Sequence, residues 1–234
     1  MKTEGQRLTG WLLGSLLAAG SAWAEGDWQP LFNGKDLNGW AVTGKPDGWA
    51  VVDGAIACQV KGGAYLYTQE LYENFALALD FKVSPPVTKV NPMTKKEELH
   101  KCNSGVFIRC SDLKNPVHTG IEVQVFDSTG VTQPGKHDCG ALYDMVAPCK
   151  NTEKPVGEWN HLVITCKGPL IEVELNGEKV SSMNTDQFEK AGVNPDGSKN
   201  KFKFAWKDLP KKGHIGFQDH GHQVWFKDVK IRVL

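Results

Sequence analysis

Short runs of alternating hydrophobic and polar residues cover most of the chain, and turn residues separate them. The alternation has a period of two, which is typical of β-strands with one buried face, whereas the 3.6-residue period of amphipathic helices is nearly absent. The pattern predicts strands at residues 48–52, 55–60, 75–83, 105–110, 120–127, 159–166, 170–175, 179–183, 214–218 and 223–233. Asp53-Gly54 and Asn176-Gly177 are strong signals for two-residue hairpin turns. We therefore expect an all-β protein built as a β-sandwich.

Two segments interrupt this pattern. Residues 84–101 contain Pro85-Pro86 and a charged run at 95–98, and residues 184–209 contain the turn sequence Asn-Pro-Asp-Gly at 194–197. Residues 187–190 could form one helical turn. Loops of this length in a compact domain are often functional or mobile. We expect both segments to be long insertions between strands.

The first 24 residues have the features of a secretory leader. Lys2 and Arg7 are followed by an apolar run over residues 8–20 and by the small-x-small sequence Ala22-Trp23-Ala24. The apolar run is too short to span a bilayer. We predict a signal peptide at residues 1–24, one domain over residues 25–234, and a secreted or periplasmic protein that does not insert into a membrane.

The balance of charge narrows the choice of partners. Lys plus Arg equal Asp plus Glu at 27 each, so no net field would attract nucleic acid or an anionic membrane, and a neutral partner is favoured.

The six cysteines, an even number, lie at 58, 102, 110, 139, 149 and 166. In an oxidising compartment this number predicts disulfides, with the connectivity open. Cys102 and Cys110 are too far apart along one extended strand to pair, whereas Cys139 and Cys149 could close a loop.

Two of the predicted strands carry unusual polar faces. Ile121, Val123 and Val125 share one face of the second strand, and the opposite face holds a carboxylate, a carboxamide and an aromatic ring. The polar-face positions of the two strands are Asn103, Phe107, Arg109, Glu122, Gln124 and Phe126. If both strands lie in one curved sheet, these side chains could form a groove for a polyhydroxylated ligand, since sugars need planar hydrogen-bonding groups beside aromatic surfaces. The alternative is a pair of ordinary sheet faces covered by a loop.

The spacing Glu122-x-Gln124-x-x-Asp127 is similar to the catalytic strand of laminarinase-like retaining glucanases, in which two carboxylates act as nucleophile and acid/base. Here the middle position is an amide, which cannot ionise. Asp127 has the wrong strand parity unless a bulge rotates it. The sequence therefore gives poor support to the ordinary two-carboxylate mechanism.

A second candidate cluster is the segment at 214–222, which contains three histidines. His220 could exchange protons near neutral pH, and Asp219 could orient its ring. The same histidines could instead bind a metal or lie at a solvated rim. A divalent metal ion is left open because the sequence fixes no ligand set.

Seven short motifs, taken in order, resemble one family. They are Leu-Phe-Asn-Gly-Lys-Asp-Leu-Asn-Gly-Trp at 31–40, Asn-Ser-Gly-Val-Phe-Ile-Arg at 103–109, Glu-Val-Gln-Val at 122–125, Gly-Ala-Leu-Tyr at 140–143, Gly-Glu-Trp-Asn at 157–160, Leu-Asn-Gly at 175–177 and Gly-Phe-Gln-Asp-His-Gly at 216–221. This series is similar to that of the 3-keto-disaccharide hydrolase domain family and covers nearly all of the chain after the leader. The resemblance implies a concanavalin A-like jelly-roll β-sandwich of two antiparallel sheets with long loop insertions.

The resemblance also implies chemistry on sugars that carry a ketone at C3. The ketone acidifies the neighbouring C2–H, so a base can remove that proton and the resulting enolate can expel the substituent at C1. Addition of water then gives net hydrolysis, whereas stopping after the expulsion makes the enzyme a lyase. The alternative is a non-catalytic carbohydrate-binding module of the same fold. The identity of the glycoside stays open.

Site roles follow from the resemblance as expectations. Glu122 or His220 would be the base, Asp219 would orient His220, and Arg109 would stabilise the enolate oxygen. Gln124 and Asn103 would bind sugar hydroxyls, and Trp225 or Tyr143 would form a wall beside the sugar. These assignments require the strands to bring Arg109 and Glu122 into one hollow.

Overall fold

The computed structural model describes residues 27–234. The predicted signal peptide and the domain boundary after residue 24 lie outside the described residues, so both stay predictions. The strands are β1 (Gln29–Pro30), β2 (Trp40–Val42), β3 (Trp49–Val52), β4 (Ala55–Cys58), β5 (Tyr65–Thr68), β6 (Phe75–Val83), β7 (Val87–Val90), β8 (Glu97–His100), β9 (Asn103–Cys110), β10 (Ile121–Phe126), β11 (Asn160–Lys167), β12 (Leu170–Leu175), β13 (Glu178–Asn184), β14 (His214–Gln218) and β15 (Val224–Val233). The helical elements are α1 (Pro116–Thr119) and short 3-10 turns at Pro46–Gly48, Thr185–Gln187 and Trp206–Asp208.

The strands form two main antiparallel sheets and one small one. The larger sheet has the order β13-β12-β11-β6-β15-β4-β3, with β1 paired to β15, and the smaller sheet has the order β10-β9-β14-β5-β2. A separate two-stranded sheet joins β7 and β8. The predicted all-β jelly roll with long insertions is confirmed.

The core lies between the two main sheets. Phe75, Leu77, Leu79 and Phe81 alternate along β6 and are fully buried, because every second side chain of this central strand points inward. They belong to a cluster that also contains the inward residues of β9, β10 and β14. Each such side chain contributes about 1.5–3 kcal/mol by its burial. This packing fixes which residues of β9, β10 and β14 face outward.

Both predicted hairpin turns are present. Asp53 and Gly54 have φ of 49° and 75° between β3 and β4, and Asn176 and Gly177 have φ of 53° and 82° between β12 and β13. Two consecutive positive φ angles are characteristic of the tight turns that connect antiparallel strands.

The two insertions are more ordered than the sequence suggests. The first contains the β7–β8 hairpin, and the second contains 3-10 turns at Thr185–Gln187 and Trp206–Asp208. Strands β2 and β5 were also not predicted, since four residues or fewer give too short an alternation to recognise.

The expectation of disulfides is wrong for this structure. All six cysteines are free thiols, five of them buried and Cys149 exposed. The predicted loop closure by Cys139 and Cys149 is therefore absent. Across residues 27–234, no helix has the length and apolar character needed to cross a membrane.

Candidate active site

The outward face of the smaller sheet carries the polar side chains that the sequence singled out. In the strand register Glu122 lies opposite Phe107, Gln124 opposite Gly105, and Phe126 opposite Asn103. The next strands extend these rows, because Gly216 of β14 lies between Phe107 and Tyr67 of β5, and Gln218 lies opposite Tyr65. The face therefore presents a carboxylate, two glutamine amides and several aromatic rings.

Glu122 is the carboxylate of this face, and its environment changes its pKa. Glu122 is only 6% exposed, and no hydrogen bond to its oxygens contributes to its titration. Burial raises the pKa of the Glu122 carboxyl from its ordinary 4.5 to about 7, against the opposing effect of the Lys201 ammonium. A carboxylate with a pKa near neutrality is suited to accept and return protons.

Two glycines leave room for the larger side chains of this face. A Cβ at Gly105 would be 2.3 Å from Oε1 of Glu122, and a Cβ at Gly216 would be 2.1 Å from the Tyr67 ring. The Glu122 carboxyl therefore lies directly over the backbone of β9. Any side chain at position 105 would displace it.

Two buried amides beside Glu122 have free oxygens. Nε2 of Gln124 donates to Oδ1 of Asn103 at 3.0 Å, but Oε1 of Gln124 and Oε1 of Gln218 have no partner in the described protein. Leaving a buried polar atom unpaired costs about 1–3 kcal/mol, so such atoms call for an explanation. Hydroxyl groups of a bound sugar would satisfy both oxygens.

Tyr143 and Lys201 border the site beyond the edge of β10. The Tyr143 amide donates to the Glu122 carbonyl at 2.9 Å, which holds the tyrosine beside the carboxylate. The Lys201 ammonium lies 4.0 Å from the centroid of the Tyr143 ring, and the Lys201 amide donates to the Asp144 carboxylate at 2.7 Å. A positive charge is thus held close enough to affect the titration of Glu122.

Arg109 does not lie on this face, which corrects the expectation from strand alternation. Between Phe107 and Cys110, β9 has one residue more than β14, and Arg109 has a φ of 53°. This bulge turns Cys110 toward Phe107 and sends Arg109 to the opposite side. There Arg109 is 3% exposed, and its Nη2 donates to the carbonyl of Glu73 at 3.0 Å.

Asp219 supports a loop, which corrects the expectation that it orients His220. Its two oxygens accept from the amides of Gly63 and Gly221, both at 2.9 Å. His220 is exposed and lines a cleft of about 530 Å³ together with Asn103 and Phe126. Phe126 is four residues beyond Glu122 on β10, a separation of about 13 Å along a strand. His220 is therefore at the far end of the face from Glu122.

Trp225 belongs to the larger sheet, which corrects its predicted place beside the sugar. It pairs with Ala57 and Lys82, and the Lys82 ammonium lies 4.6 Å from the centroid of its ring. Alternation along β15 buries Val224 and Phe226 and leaves Trp225 on the outside of that sheet. Tyr143 is the predicted aromatic residue that does border Glu122.

No group of three or more His, Cys, Asp or Glu side chains within residues 27–234 is arranged to hold a metal ion. The residues around Glu122 are amides, aromatic rings and a lysine. The roles considered below are those of these side chains.

Comparisons with known proteins identify the family of the chain. The model of a family described as the 3-keto-alpha-glucoside-1,2-lyase-like domain matches residues 27–232. A 3-keto-disaccharide hydrolase from Bacteroides thetaiotaomicron is 28% identical over an alignment 230 residues long, and the alignment covers 87% of this chain and 77% of that protein.

Solved structures of other proteins have the same fold. A crystal structure of a provisionally assigned glycosyl hydrolase from Parabacteroides distasonis has a TM-score of 0.75 and 34% identity, and the match covers 89% of this chain and all of the other. A Bacillus subtilis protein of unknown function with a galectin-like fold has a TM-score of 0.54 at 12% identity, with 90% of this chain and 97% of the other covered, and it shows the fold alone. The chain belongs to the 3-keto-alpha-glucoside-1,2-lyase-like domain family, as its motifs predicted.

Proposed function

We propose that this protein cleaves glycosides whose sugar carries a ketone at C3, and that Glu122 is the base that removes the C2 proton. The observation that carries the proposal is a buried carboxylate with a pKa raised to about 7 on a face of unpaired amides. Family membership and the name of the Bacteroides relative support the substrate class. The leader-like first 24 residues support action outside the cytoplasm.

The reaction begins when the Glu122 carboxylate takes the proton from C2. The C–H electrons form the C2–C3 double bond of an enolate, and negative charge develops on the oxygen at C3. The Lys201 ammonium, which acts electrostatically on the Glu122 carboxyl, is available to stabilise that oxygen. Collapse of the enolate restores the C3 ketone, forms a C1–C2 double bond and breaks the bond from C1 to the leaving oxygen, which takes up the proton held by Glu122.

The reaction ends as lysis or as hydrolysis. If the unsaturated ketone is released, the enzyme is a lyase. If water then adds at C1 and gives a proton to the Glu122 carboxylate, which passes that proton to C2, the outcome is hydrolysis. The same carboxyl can serve both proton transfers because its pKa is close to neutral pH.

The number of carboxylates on the face favours this reaction over ordinary glycoside hydrolysis. The five strands of the smaller sheet contain a single carboxylate, Glu122. Asp127 is buried off this face, where its Oδ1 accepts from the Thr129 amide and lies 3.9 Å from the Lys101 ammonium. Retaining glycosidases need two carboxyl groups about 5–5.5 Å apart. Elimination next to a ketone needs one base.

A non-catalytic carbohydrate-binding module is less well supported. Binding would use the amides and the aromatic rings, but it would gain nothing from burying a carboxyl group at the cost of its ionisation. The structure therefore favours a titrating, reactive role for Glu122.

Substrate discrimination tests the proposal directly. We expect purified protein to release the leaving group from a 3-keto-glucoside and to leave the parent glucoside, with its C3 hydroxyl, intact. Both anomers of each compound should be assayed by chromatography of the products. Release from the parent glucoside at a comparable rate, or binding of the keto-sugar without turnover, would contradict the proposal.

Replacing Lys201 with Met should lower kcat by about 100-fold, the typical effect of losing one group that stabilises an oxyanion. The change should also shift the pH profile. Glu122 must be ionised to act, so kcat/KM should rise with pH through about 7 in the native protein. Without the lysine charge the pKa of Glu122 moves further up, so the acidic limb of the profile should move to higher pH.

Lys203→Met is the matched control for this experiment. Lys203 is an exposed neighbour of the same charge, and its ammonium does not contribute to the pKa shift of Glu122. An unchanged pH profile in Lys201→Met, or equal shifts in both variants, would remove Lys201 from the mechanism.

A further inference from the structure

The cleft at the far end of the site is lined by positive and imidazole side chains. His220, His222, Lys89, His100 and Lys101 line it, and in the part of the chain that the structure describes no carboxylate is among its lining residues. Lys89 and His100 reach it from the β7–β8 hairpin. The hairpin thus brings a lysine and a histidine to one side of the cleft, next to the polar face that contains Glu122.

His222 is unusual among these residues. It is 7% exposed, and neither Nδ1 nor Nε2 has a hydrogen-bond partner in the described protein. An imidazole ring always has at least one N–H to donate, so burial without a partner is unfavourable. Because the ring lines the cleft, a ligand in the cleft could accept this bond.

Neighbouring charges fix the kind of ligand. Burial lowers the pKa of His222, as do the charges of Lys89 of β7, His220 and His100 of β8, whereas a backbone contact with His220 acts in the opposite direction. Glu98 of the hairpin is an acid 4.0 Å from His100, and its carboxylate accepts from the side-chain amide of Asn91 at 2.7 Å. Lys101, which also lines the cleft, lies 3.9 Å from the Asp127 carboxylate. An anion would both pair with the lysines and accept from the His222 ring.

The position of the cleft indicates which part of the substrate it could bind. Asn103 lines the cleft and also accepts from Gln124, whose side chain is in the row next to Glu122. The face from Glu122 to Phe126 spans about 13 Å, enough for a sugar ring and its leaving group side by side. A sugar that reacts at Glu122 can therefore place its leaving group near the cleft.

We propose that the cleft is a leaving-group subsite that selects glycosides whose leaving group carries an anion, either a carboxylate or a sulfate ester. This proposal rests on the proposed function for its orientation, but anion binding can be measured without turnover. Protonation of His222 on binding would add a second charged donor, so affinity for the anion should increase as pH falls from 8 to 6.

The test compares three related sugars as ligands. Glucuronate and glucose 6-sulfate represent the two anionic sources, and glucuronamide is the neutral analogue of the carboxylate. Binding is followed by NMR titration at pH 6 and pH 8. We expect at least one of the anions to bind with a Kd at least tenfold below that of glucuronamide at pH 6, with a smaller difference at pH 8.

Variants of the cleft connect the selectivity to its residues. His222→Gln and Lys89→Gln should each abolish most of the preference, whereas Lys167→Gln removes the same charge from the exposed end of β11 and should keep it. Lys89 is exposed, so its replacement tests the subsite even if His222→Gln fails to fold. Equal affinities for all three sugars, or a preference that survives both cleft substitutions, would overturn the proposal.

The outcome is separable from that of the proposed function. Absence of anion selectivity together with cleavage of a neutral 3-keto-glucoside would reject the subsite alone. Anion selectivity without cleavage of any 3-keto-glycoside would reject the catalytic role and leave the anion site in place.

Discussion

Glu122→Gln is expected to lower kcat on a 3-keto-glycoside by about 10³-fold, within the range typical of removing a general base. The substitution keeps the shape of the side chain and removes its ability to accept a proton. Because no hydrogen bond to the carboxylate contributes to its titration, the amide leaves no hydrogen-bond partner stranded. Turnover within a few-fold of the native rate would exclude Glu122 as the base.

The same substitution should stabilise the protein above neutral pH. The native carboxyl has a pKa of about 7 against an ordinary 4.5, so the unfolded chain ionises first as pH rises. Stability that is present below pH 4.5 is therefore lost progressively as pH rises to 7, by about 3 kcal/mol at most. Removing this penalty should raise Tm at pH 8 by up to about 6–12 °C for a domain of this size.

Thermal unfolding of both proteins at pH 8 and near pH 4.5 measures this effect. Near pH 4.5 Glu122 is protonated in the folded state and about half protonated in the unfolded state, so little of the penalty remains and the two Tm values should nearly coincide. Equal Tm values at pH 8 would mean that ionised Glu122 is not penalised by burial. Loss of activity combined with a gain in stability is characteristic of a functional group held in an unfavourable environment.

Gly105→Ala is expected to reduce kcat by about 100-fold while the protein remains folded, because small displacements of a catalytic group have effects of this order. The new methyl group would be 2.3 Å from Oε1 and 2.8 Å from Cγ of Glu122. The obstacle is the end of a side chain, so the carboxyl can move aside and β9 can stay in the sheet. The base then no longer points to the position of the substrate.

Gly135→Ala is the matched control. The nearest atom to a Cβ at Gly135 is Oδ2 of Asp138 at 3.7 Å, which is an ordinary contact. This variant should keep both its activity and its Tm. Circular dichroism and thermal unfolding of Gly105→Ala establish that the fold persists, and native turnover by that variant would show that the observed position of Glu122 is not required.

Strand alternation predicted the fold and part of the site. The run from Phe75 to Val83 and the two glycine-containing turns identify strands and hairpins by local rules, and the structure contains them. The polar face of β10 was also predicted by parity, since Glu122 and Gln124 have no irregularity between them. Local patterns are sufficient where the strand is regular.

Irregular backbone and tertiary contacts account for the errors. The bulge before Cys110 reverses the facing of Arg109, and a bulge depends on the register with β14, which a single strand does not encode. Trp225 was expected beside the sugar, but it faces outward from the larger sheet, which does not contain Glu122. Lys201 comes from a loop insertion, and no spacing in the sequence connects it to Glu122.

Deuterium incorporation at C2 tests most directly whether Glu122 initiates cleavage by removing the C2 proton. A 3-keto-glycoside is cleaved in D₂O, and the product is analysed by NMR at early times, with spontaneous exchange of the free product measured in parallel. If the product is hydrolysed sugar, it should contain deuterium at C2 above the spontaneous level. If lysis is the outcome, the C2 proton should be absent from the unsaturated product, and Glu122→Gln should suppress both. Hydrolysed product that retains its original C2 proton would contradict the account.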